Sequence, residues 1–143
     1  MHSLRRRWSH ALATALLLAT IAACNAGPTS PIGVDNGTTL PVTILGNGTV
    51  LDTVPPQTHR DVLTASLGAM PWTIEATSPS GRVLLTLVVP PGVVWSTTEP
   101  DGSTSQHGAA NRVDLSCGRL DVYVGPPLAG PMPDPGVPGD CDA

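Results

Sequence analysis

Lysine and phenylalanine are both missing from this chain of 143 residues, and tyrosine occurs once. The seven basic residues are all arginine, and Arg5, Arg6 and Arg7 crowd the N-terminus. Beyond residue 23 only Arg60, Arg82, Arg112 and Arg119 stand against eleven carboxylates, a net charge near −7. So few cations disfavour nucleic acid and anionic lipid, both of which are held through contacts to phosphate. The missing lysine and phenylalanine fit a GC-rich codon bias and carry no function of their own. Catalytic signatures are absent too: no G-x-S-x-G, no HExxH and no paired-histidine spacing. The apolar segment from Ala11 to Ala23 is shorter than the ~20 residues a membrane-spanning helix needs. After it no helical period recurs.

What is present begins with an address. Residues 1–23 have the layout of an export signal, with a basic head, an apolar middle and small residues before the cut. The run Leu16-Leu17-Leu18-Ala19-Thr20-Ile21-Ala22-Ala23 stops at Cys24, for which a plain secretory signal has no need. The tetrad Ile21-Ala22-Ala23-Cys24 resembles the lipobox of bacterial lipoprotein precursors. That resemblance covers residues 1 to about 25. It implies that Cys24 is acylated, becomes the first mature residue, and anchors the protein by lipid to the cell envelope outside the cytoplasm. Two or three acyl chains hold a protein stably, whereas one holds it only marginally. Residues 24–31 then read as the lipidated cysteine and a short polar linker.

The mature chain of roughly 120 residues suffices for one core. Residues 32–125 carry strand signals and residues 126–143 a proline- and glycine-rich tail. Leu40 to Leu45 alternates, Gly46-Asn47-Gly48 turns, and Thr49 to Val54 returns; Asn-Gly is a strong hairpin cue because both residues tolerate positive φ. Trp72, Ile74 and Ala76 share one face of a strand that turns at Ser78-Pro79-Ser80-Gly81. Val83 to Val89 is nearly all apolar and reads as a central strand buried on both faces. Val93-Val94-Trp95 reads as a short strand and Glu99 to Asn111 as a long polar loop. A third hairpin, with Cys117-Gly118 as its turn, sets Leu115 opposite Leu120 and Asp114 opposite Asp121. The expected fold is all-β: one small antiparallel β-sandwich of about eight strands, immunoglobulin-like in architecture, with an open barrel as the alternative.

Few residues are candidates for chemistry. Asp114 opposite Asp121 is a like-charge pair, which destabilises a sheet unless neutralised. Arg112 and Arg119, diagonal on the same face, supply that neutralisation; a calcium site is the sharper alternative. His59 and Asp61 share a strand face, and with His107 in the polar loop they form the other candidate ligand or metal set. Zinc needs three or four convergent ligands. Trp72 reads as core, while Trp95 is open between core and an exposed stacking platform. Asn36-Gly37-Thr38 and Asn47-Gly48-Thr49 read as turn chemistry rather than glycosylation sites. Cys117 and Cys141 are an even pair in an oxidising compartment, and a disulfide between them would close about 25 residues and stabilise by ~3 kcal/mol. No cofactor and no catalytic set is expected. The expected function is a non-catalytic binding or scaffold module that docks an envelope protein or glycan. A small-ligand or metal carrier is the alternative, and a hydrolase ranks behind it.

Overall fold

The computed structural model describes residues 30–130. The export signal, Cys24 with its linker up to residue 29, and Cys141 with the tail from residue 131 lie outside the described residues. Ten strands form: β1 (Ile32–Asn36), β2 (Val42–Gly46), β3 (Thr49–Val54), β4 (Thr58–Val62), β5 (Trp72–Thr77), β6 (Val83–Val89), β7 (Trp95–Thr98), β8 (Thr104–His107), β9 (Ala109–Leu115) and β10 (Gly118–Val124). They make a β-sandwich of two four-stranded antiparallel sheets, ordered β4-β1-β10-β9 and β3-β2-β5-β6, with β7 and β8 as a separate ribbon. Four strands face four, in place of the four-and-three partition of an immunoglobulin constant domain.

Strict alternation fills the space between the sheets. Ile32 and Val34 of β1 and Leu120, Val122 and Val124 of β10 meet Val42, Ile44, Trp72, Ile74, Ala76, Leu85, Leu87 and Val89 from the other sheet. Residues i and i+2 of a strand share a face, so β1, β2, β5, β6 and β10 each deliver one alternate set of apolar side chains to the core. The Asn47-Gly48 turn forms with positive φ at both residues, as the strand twist requires. Two polar contacts close the sides of the sandwich. Arg60 on β4 pairs with Asp52 on β3 at 3.4 Å, and the Asn111 side chain on β9 donates to the Thr86 carbonyl on β6 at 2.8 Å.

A buried polar latch joins the end of β1 to the other sheet. Asn36 is 1 % exposed, and its Nδ2 donates to the carbonyls of Leu40, Val54 and Pro55 at 2.8, 3.1 and 3.0 Å. Its Oδ1 accepts from the Thr38 amide and hydroxyl at 3.1 and 2.6 Å. The turn chemistry expected of Asn36-Gly37-Thr38 is therefore present, but folded inward.

Three expectations are corrected. β6 is an edge strand, not a central one, and Val83 and Val88 face solvent while Leu85, Leu87 and Val89 face the core. An apolar run alone does not distinguish two buried faces from one. Residues 99–111 are no long loop: β8 and the first three residues of β9 occupy most of them, and Glu99 to Ser103 turns. Finally, the β9–β10 turn is Ser116-Cys117, so Asp114 faces Arg119, Val113 faces Leu120 and Arg112 faces Asp121. Gly118 opens β10 instead of turning, because a Cβ there would stand 2.1 Å from the Gly37 carbonyl oxygen. Cys117, within that turn, is fully buried and is not without a partner.

Candidate ligand-binding cleft

The outer face of the first sheet carries a cluster of charged side chains. Register sets His59, Asp35, Asp121 and Arg112 in one row across β4, β1, β10 and β9, and Asp61, Gly33, Tyr123 and Ala110 in the next. Asp121 thus meets a carboxylate after all, Asp35 of β1 rather than Asp114. Asp121 and Asp114 each have an arginine, whereas Asp35 and Asp61 share His59. Arg112 Nε donates to Asp121, whose side chain is 6 % exposed. Arg119 Nε donates to Asp114 at 2.6 Å, and that hydrogen bond holds the Asp114 carboxyl below the usual carboxylate range. Asp35 holds His59 Nδ1 at 2.7 Å, and His59 Nε2 lies 3.6 Å from Asp61. Asp114 and Asp121 are thus neutralised by Arg119 and Arg112, as expected, though across strands rather than on the diagonal, and the alternative calcium pair is split. Among the described residues no three histidine, cysteine or acidic side chains are arranged to hold a metal.

A glycine shapes the middle of the second row. The Tyr123 ring lies across Gly33, where a Cβ would stand 2.2 Å from Cε2. With that space open the ring folds flat over β1 toward Asp61 and Asp35. Its phenol is pushed up to about 12, first by burial, then by the charges of Asp35 and Asp61 and a hydrogen bond to Asp35.

The β7–β8 ribbon stands over this floor. Its four paired positions include Trp95 opposite His107, and the two rings stack in parallel with centroids 3.8 Å apart. Gly108 bends the chain from β8 into β9 against the end of β10, where a Cβ would stand 2.0 Å from the Val124 carbonyl oxygen. This close backbone crossing sets the ribbon's position. Between ribbon and sheet lies a cleft of about 400 Å³, walled by Trp95, Ser96, Gln106 and His107 and floored by Asp61, Gly33 and Tyr123. That volume is within the range of small-molecule sites.

Of the sequence candidates, Asp61 and His107 line the cleft, His59 stands behind it, and Asp114 and Asp121 lie outside its lining. Trp95 is 48 % exposed and so is not core, whereas Trp72 is buried with Nε1 donating to the Gly68 carbonyl at 3.1 Å. Tyr123, Gln106 and Ser96 were not legible as site residues. Their only sequence signal is that a lone tyrosine ends a core strand on its polar face. No family model, curated protein or solved structure matches this chain.

Proposed function

We propose that this protein is an exported, lipid-anchored binding module of the bacterial cell envelope. Cys24 carries the lipid, a Cys117–Cys141 disulfide ties down the tail, and the sandwich presents its cleft to an envelope protein or glycan. One observation carries the binding reading: Trp95, His107, Asp61 and Tyr123 converge on a concave cleft instead of coating a convex face. An aromatic wall with a few polar groups suits recognition. Metal carriage has less support, since Asp35, Asp114 and Asp121 are held by His59, Arg119 and Arg112 in turn.

The test is purification of the native protein in mild detergent, with mass spectrometry of whatever accompanies it. A stoichiometric companion that Trp95→Ala sheds supports the reading. A companion indifferent to that change, or a solitary protein, counts against the cleft as the docking site. Equal membrane recovery of a Cys24→Ala form would refute the lipid anchor.

A further inference from the structure

We propose that the cleft takes an organic ammonium group, with Asp61 as the counter-charge and the Trp95 indole as the wall. This rests on the reading of the cleft as the binding site and names its ligand class.

Charge comes first. Of the described residues that line the cleft, Asp61 alone carries a formal charge with histidine neutral. Its side chain is 64 % exposed, and its neighbour His59 is 3.6 Å away, too far for a good hydrogen bond, while Nδ1 of that ring is committed to Asp35. Three of the domain's arginines are placed elsewhere: Arg60 on Asp52, Arg112 on Asp121 and Arg119 on Asp114. No arginine lines the cleft. Asp35 lies just behind the floor at the Tyr123 hydroxyl, and its field adds to that of Asp61. A cleft of one sign with low-dielectric walls concentrates the opposite charge.

Shape points the same way. Stacking on His107 occupies one face of the Trp95 indole and fixes the ring, while nearly half of the residue remains exposed beside the cleft. Indole is the best aromatic partner for a cation. Ser96 and Gln106 can orient polar atoms on the ligand. A neutral sugar would also stack on the indole, but it would not draw on the charge of Asp61.

The experiment titrates the full chain, in mild detergent, with choline and with its neutral isostere 3,3-dimethylbutan-1-ol, by calorimetry. Choline is expected to bind saturably and about tenfold or more tighter than the isostere. Asp61→Asn and Trp95→Ala should each weaken choline by a similar factor, and Asp114→Asn, outside the cleft, should leave it unchanged. Equal binding of both probes, or choline binding indifferent to Asp61→Asn, overturns the proposal. N-acetylglucosamine binding that depends on Trp95 but not on Asp61 overturns it while sparing the binding cleft. Absence of binding by all three probes overturns it as well, and the companion-capture experiment above then judges the cleft separately.

Discussion

Replacing Asn36 removes a latch whose worth can be worked out bond by bond. With Asn36→Ala, the Val54 and Pro55 carbonyls and the Thr38 amide lose the partners described above, while the Leu40 carbonyl keeps the Thr38 hydroxyl at 3.1 Å. Each buried group left unsatisfied costs about 1–3 kcal/mol. Partial access of water to Pro55 puts the sum near the low end, about 3 kcal/mol. For a domain of this size that is a fall in Tm of roughly 15 °C. Asn36→Asp keeps the shape but aims a carboxylate at three carbonyl oxygens. At neutral pH it should therefore be worse than alanine. Burial and the facing oxygens raise the folded-state pKa of that acid above its unfolded ~3.9, so the variant regains stability as pH falls through the folded pKa and loses it as pH rises. Urea unfolding of the three proteins at neutral and acid pH measures this. A loss below about 1 kcal/mol for the alanine variant, or an aspartate variant as stable as alanine at neutral pH, would refute the latch.

Gly33→Ala drives a methyl into the Tyr123 ring, and overpacking of this kind destabilises by about 1–3 kcal/mol; urea unfolding that matches the parent protein would contradict the packing described. Tyr123 is the chain's single tyrosine, so an ultraviolet titration isolates it, with a midpoint at about 12 expected in the folded protein and near 10 in urea. Because the folded value is the higher, the linked stability is fully present below pH 10 and is lost as pH rises toward 12, by about 2–3 kcal/mol. Asp35→Asn should move the folded midpoint back toward 10. Arg112→Ala strands the buried Asp121 carboxylate and should lower stability by about 3 kcal/mol, whereas Arg119→Ala, which frees the exposed Asp114, should change much less; equal losses in thermal melts would mean that Asp121 is hydrated.

Alternation made Trp72, Ile74 and Ala76 legible as one face, and Asn47-Gly48 announced its own turn. The third hairpin was legible only in part, because a strand pattern of period two is unchanged by a slip of two residues. Val113, Leu115, Leu120 and Val122 keep their faces under either register, but the partners change, and with them the Asp114 puzzle disappears. β8 left no trace because all four of its residues are exposed and none needs to be apolar. The cleft was illegible for another reason. Asp61, Trp95, His107 and Tyr123 are brought together by the pairing of β1 with β4 and β10 and by one glycine crossing, contacts that local sequence does not encode. His59 and Asp61 were legible as sharing a face, since that depends only on their spacing.

The Asn36 latch also bears on how the protein ages. Asn-Gly pairs lose ammonia when the glycine nitrogen attacks the carboxamide carbon, a reaction that needs both groups free to swing. In Asn36-Gly37 the carboxamide is clamped and the Gly37 amide is tied to the Arg119 carbonyl at 2.8 Å. Asn47 sits at an exposed hairpin tip, where its side-chain oxygen accepts one hydrogen bond from the Thr73 amide. Deamidation is thereby steered to the tip, where the product sits in water, and away from the core. In protein stored at mild alkaline pH, peptide mapping should find the change at Asn47 well before Asn36.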